Sequence, residues 1–140
     1  MSLPVIVFDD IELWTTTTLR AALAARTETY TADVIVSNKI PHDPITGEPK
    51  RRDRMVIVRY DGGTRLDVVR MAERLGIQVW ATTDQDATDL ARLTAALLWA
   101  SPDGDPVCKA KTSGAYPVPD ESRQPLVYFT AELIARGRQV

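Results

Sequence analysis

The sequence predicts an α+β fold: a mostly antiparallel sheet of four to five strands with two helices packed mainly on one face. Three observations predict it. Two segments carry helical spacing of apolar residues, several short β-branched runs alternate with turn signals, and the helical segments are separated by strands rather than adjacent to each other. The predicted order is α-β-β-β-α-β-β. At 140 residues the chain is the size of one ordinary domain, so residues 1–140 are expected to form a single unit with its own core.

The first helix is expected over about residues 10 to 26, in "DIELWTTTTLRAALAARTE". Ile11, Trp14, Leu19, Ala22 and Leu23 share a face, and Asp9 and Asp10 stand where a helix N-terminus favours negative charge. Thr15 to Thr18 lower helix propensity there, because β-branched side chains lose rotamer freedom. "ADVIVSN" and "RMVIVRY" read as strands, and "DGG" at 61 to 63 reads as a turn after the second. From Thr64 to Glu73 two readings compete: a short helix ending at Gly76, or a turn near Asp67 leading into a strand near Met71. The strand is preferred, since Leu75, Ile77, Val79 and Ala81 then alternate inward.

The second helix follows "VWATTDQD". Thr82, Thr83 and Asp84 are all suitable N-caps, Thr82 with Gln85 fits a capping box, and Ala87, Leu90, Ala91, Thr94, Leu97 and Leu98 form one apolar stripe. "SPDGDP" ends it. "VCKAKT" reads as a short edge strand with Lys109 and Lys111 guarding one face, and "LVYFTAELIA" as a strand with Val127, Phe129, Ala131 and Leu133 inward. The long irregular stretch, residues 40 to 53, holds three prolines and one glycine and is expected to project as the loop of a hairpin between the first two strands.

Chemistry-bearing motifs are few. His42 is the single histidine, so a histidine-rich metal site is excluded, and its neighbours Pro41 and Pro44 suggest a solvated loop. The single Cys108 lies in an expected strand and reads as a buried structural thiol. There is no glycine-rich phosphate loop and no paired-cysteine motif, and Asp84, Asp86 and Asp89 are explained by capping and the helix dipole. The expectation is a protein that is not an enzyme and needs no metal or cofactor. A formal charge of −2 argues against one built to hold duplex nucleic acid through many phosphates. The apolar run at the N-terminus is too short for a secretion signal or a membrane span, so assembly in the cytoplasm without a membrane partner is expected.

Two features suggest an interface. Trp80 has the parity of Gln78, opposite to the inward set, and would be exposed if helices cover only one face. "KRRDR" places Lys50, Arg51, Arg52 and Arg54 at the base of the long loop. Tyr116, in "SGAYPVPD", joins them as a candidate contact.

In order, "VWATTDQDATDLARLTAALLWA", "SGAYPVPD" and "QPLVYFTAELIARG" resemble a family of small tail terminator or tail completion proteins of long-tailed phages infecting actinobacteria. The similarity spans residues 54 to 137 and, more loosely, the N-terminal helix, while the loop at 40–53 is longer than the family's usual turn. The resemblance implies an α/β subunit of a ring, usually a hexamer, that caps the tail tube and docks it to the head connector at the tail–neck junction of the virion. Its implied partners are further copies of itself, the tail tube protein and a head–tail connector or head-closure protein, with DNA only passing through the lumen. Two other readings are a head-closure or adaptor protein of the neck and a small nucleic-acid-binding protein using "KRRDR".

Overall fold

The fold is described from a computed structural model covering residues 2–140. In order it contains β1 (Ile6–Val7), α1 (Ile11–Ala24), a 3-10 turn at Thr29–Thr31, β2 (Ile35–Ser37), β3 (Met55–Arg65), β4 (Arg70–Trp80), α2 (Asp84–Ala100), β5 (Val107–Thr112), β6 (Tyr116–Pro117), β7 (Leu126–Arg136) and β8 (Arg138–Gln139). The main sheet has six strands in the order β2-β3-β4-β7-β5, with β6 beside β7, and both helices lie on one face of it. The α+β reading and the order of the main elements stand.

Each helix starts at a side-chain cap. Asp10 accepts from the Leu13 N–H at 3.0 Å, and α1 then buries Ile11, Thr15, Thr16, Leu19 and Leu23. The α2 cap is Thr83, accepting from the Asp86 N–H at 3.1 Å, one residue later than the capping box suggests; Gln85 instead reaches Asp89. The stripe Ala87, Leu90, Ala91, Thr94 and Leu98 is buried, with the Thr94 hydroxyl bonded to the Leu90 carbonyl at 2.7 Å. Against these helices pack Leu75, Ile77 and Val79 of β4 and Val127, Phe129, Ala131 and Leu133 of β7, all as the alternation predicts.

Four details depart from the expectations. "DGG" does not turn the chain: β3 runs through it to Arg65, with the register slipping between Tyr60 and Gly63 and Gly62 at φ +93°, a β-bulge that glycine tolerates. The turn follows at Leu66–Val69, where Asp67 accepts from the Val69 and Arg70 N–H groups, and β4 starts near the predicted Met71. β2 pairs with β3 in parallel, Ile35 with Met55 through Ser37 with Ile57, so residues 38–54 form a crossover and not the loop of a hairpin. Cys108 is exposed rather than buried, because a slip between Val107 and Lys109 turns it outward on the edge strand. Finally, β1 and β8 form a two-stranded ribbon for which no periodicity gives a signal in segments this short.

A candidate assembly surface on the open face

Alternation along β4 and β7 fixes what the sheet presents away from the helices. Trp80, Gln78, Gly76, Arg74 and Arg70 point there from β4, opposite Leu126, Tyr128, Thr130, Glu132 and Arg136 of β7. The lower part of this face is covered. Trp80 packs with Met55, Ile57 and Leu126, and Ile40 and Val118 close over them from the two long connections. Trp80 is only 1% exposed, so the expectation of a tryptophan free to meet a partner is overturned: its orientation is as predicted, but its own subunit buries it.

The basic run divides in the same way. Arg51 places its guanidinium 4.5 Å from the centre of the Trp80 ring and 3.8 Å from Asp120, joining the two covering connections across the indole. The Ser122 hydroxyl first, and Arg51 after it, hold the Asp120 carboxyl below its usual range. Arg54 bonds the Ala32 carbonyl at 3.3 Å and approaches Asp86 at 3.5 Å, fastening the start of β3 to α2. These two arginines are internal ties. Lys50 and Arg52 remain exposed, as do residues 44–50 around the small turn where His42 bridges Pro49. His42 is exposed as expected.

The upper part of the face is open, and its charge is one-sided. Arg59, Arg70, Arg74, Lys109, Lys111 and Arg136 are all exposed on it, against Asp61 and Glu132; Arg70 is paired with Asp67 at 2.8 Å and Lys111 with Glu132 at 3.7 Å, leaving Arg59, Arg74, Lys109 and Arg136 as the surplus. A depression of about 590 Å³ lies among Asp61, Arg74, Lys111, Thr130 and Glu132. Gly76 makes room for its floor, since an added Cβ would stand 2.7 Å from the Tyr128 hydroxyl and 2.9 Å from Asp61 Oδ2. Burial, with Asp61 and Tyr116 adding to it against Arg59, raises the Tyr128 hydroxyl above its ordinary pKa. Tyr116 is 52% exposed and stands edge-on to Tyr128 with centroids 5.7 Å apart, and Tyr128 pairs on its other side with half-buried Gln78. Of the candidate contacts, Gln78 and Tyr116 therefore share the open face, Lys50 and Arg52 lie on the crossover, and Trp80, Arg51 and Arg54 are structural.

The fold resembles that of a virion chain. A solved structure titled "Virion of native gene transfer agent (GTA) particle" contains a chain that superposes with a TM-score of 0.57 at 12% sequence identity, covering 87% of this chain and 92% of that chain. No protein-family model matches the sequence, and no curated protein matches it. At this identity the likeness establishes a shared fold.

A second exposed surface lies at the β3–β4 tip. Leu66 and Val69 there, with Leu3, Val5 and Val140 of the terminal segments, are each at least 42% exposed. They form one neighbourhood, since Val140 N–H bonds the Val5 carbonyl, Gly137 N–H bonds the Val69 carbonyl, and Leu3 and Leu66 line one depression. Hydrophobic periodicity gave no sign of it, because these residues come from three separate places in the chain. Among the described residues no group of three or more His, Cys, Asp or Glu side chains is placed to hold a metal ion, and no helix is long and apolar enough to cross a membrane.

Proposed function

We propose that this chain is a structural component of a phage-like virion and, within it, a tail terminator. The observation that carries the reading is the fold shared with a gene transfer agent virion chain over nearly the full length of both. The order of motifs over residues 54–137 supports the finer assignment, and the apolar tip around Leu66, Val69, Leu3 and Val140 supplies a surface suited to docking on another protein. The proposed mechanism is steric and thermodynamic. A ring, by analogy a hexamer, binds the last layer of the tail tube, removes the surface on which another layer would add, and offers the neck a different face.

Deletion of the gene tests the role. Loss of a terminator should leave tubes of uncontrolled length beside DNA-filled, tailless heads. Tails of normal length with heads that leak DNA would replace this reading with head closure. Divalent-metal-dependent cleavage of nucleic acid by the purified protein would overturn both.

A further inference from the structure

The main sheet ends in two unpaired edges. β2 covers only Met55, Val56 and Ile57 of β3, so on the side of β3 away from β4 no described strand lies beside Val58 to Arg65, and β5 has β7 on one side and no described strand on the other. Residue pairing across the sheet places these free edges at one height. Thr112 pairs with Ala131, Ala131 with Leu75 and Leu75 with Tyr60; likewise Lys109 pairs with Ile134, Ile134 with Ala72 and Ala72 with Thr64. Each step is antiparallel, so β5 runs opposite to β3. A second copy standing beside the first in the same orientation therefore brings its β3 antiparallel and level with the first copy's β5.

We propose that copies of this chain join head-to-tail through these edges, β5 of one pairing with the upper part of β3 of the next. The backbone is set for it. Ser113 N–H bonds the Thr130 carbonyl at 2.8 Å, which makes Thr112 and Ala131 a pair whose own amide groups point away from each other; alternation makes Ala110 the next residue facing out. On β3 the Tyr60 N–H points off the sheet to Glu12 Oε2 at 2.8 Å, closing the lower end, and the rows above it up to Arg65 remain for the neighbour. Side chains match across the same rows. Lys111, 3.7 Å from Glu132 in its own subunit, comes opposite the bulge that carries Asp61 and would be shared between the two carboxylates on the open face. On the helix face Trp99, 54% exposed and bonded to Thr112 at 3.0 Å, comes beside Tyr60 of the next copy, 40% exposed in the free subunit. The bulge and the edge lysines discourage pairing with arbitrary strands, and Asp61 gives one partner an advantage. Level edges add no rise per copy, which favours a closed ring over a helix; only this closing step rests on the tail-terminator reading.

Disulfide trapping tests the contact. In a Cys108→Ser background, Thr64→Cys and Lys109→Cys stand three strand spacings apart within a subunit, about 14 Å, beyond the roughly 7 Å reach of a disulfide. Mild oxidation of the purified double variant should give a ladder of linked dimers, trimers and larger species on a denaturing gel, with neither single variant linking beyond background. Failure of the double variant to link, or equal linking by one single variant, overturns the proposal. Asp61→Lys and Lys111→Asp should each reduce wild-type association several-fold at low salt and restore it when combined; circular dichroism checks that each stays folded, and no restoration between folded variants overturns the charge pairing. Rings seen by electron microscopy without linking would leave the terminator reading standing and remove this edge contact. Linking that runs on into open filaments would keep the edge contact and remove the ring.

Discussion

Replacing Trp80 by Ala measures whether the connections over the open face are part of the core. A buried indole removes about 150–250 Å² from water, worth about 4–6 kcal/mol at roughly 25 cal/mol per Å². Trp80 is 1% exposed, but its Nε1 finds no acceptor among the described residues, and removing that unpaired donor returns about 1–3 kcal/mol. The net expected loss is about 3 kcal/mol, at the lower end of large-to-small aromatic substitutions. In a chain of 140 residues this lowers Tm by about 10 °C. Urea unfolding followed by far-UV circular dichroism reads the loss directly. The crossover, deprived of the ring beneath Arg51, should also be cut faster by trypsin at Lys50, Arg51 and Arg52. An exposed tryptophan on an uncovered face would cost no more than about 0.5 kcal/mol. A loss that small, with unchanged trypsin cleavage, would refute the buried arrangement.

Two further outcomes follow from the same geometry. Arg51→Ala should lower stability by about 1–2 kcal/mol, since it removes a cation–π contact and a partly screened ion pair, whereas Lys50→Ser with Arg52→Ser should stay within about 0.5 kcal/mol of wild type and, if the proposed tail-terminator role holds, weaken tail or neck joining in a salt-dependent way; equal urea midpoints for the two variants would contradict this division. Glu73 is 4% exposed, and burial, with Asp10 adding to it against the Tyr60 hydroxyl, raises its carboxyl pKa above the ordinary range. Its protonated form is therefore the one the fold favours: the associated stability is full below the ordinary glutamate pKa of about 4.3 and is lost as pH rises through the raised folded value. Glu73→Gln keeps an acceptor for Tyr60 and cannot ionise, so it should gain on wild type between acid and neutral pH, and a pH-independent difference in urea midpoints would count against it.

What could be read from the sequence was whatever follows from periodicity within one segment. The stripes of α1 and α2, the inward sets of β4 and β7, and the edge character of β5 are local patterns, and the structure has them. What could not be read depends on segments meeting. Alternation gave the direction of Trp80 but not its cover, because Ile40, Arg51 and Val118 come from two separate connections. "KRRDR" looked like one patch, yet a strand start sends Arg54 toward Asp86 while Arg51 turns onto Trp80 and Arg52 faces water. The parallel pairing of β2 was hidden because composition does not carry strand direction, and the bulges at Gly62 and Cys108 break the period on which such inference relies. The basic open face is likewise a product of register, which sets Arg74 beside Glu132 and Lys111 in one row.

The place of β7 in the sheet orders events during synthesis. It is translated after both of its neighbours, yet it lies between β4 and β5 and pairs with every residue of β4 from Arg70 to Trp80. A nascent chain that has not reached Leu126 lacks the central rung, so α2 has only part of a sheet to lie on and β5 hangs without a partner. Contacts this distant in sequence close slowly. The main sheet thus cannot close before β7 is available, and β5 has its place at the sheet edge only from then on. Under the proposed edge contact, chains still short of β7 would have no β5 edge to offer each other, which would separate the making of subunits from their joining.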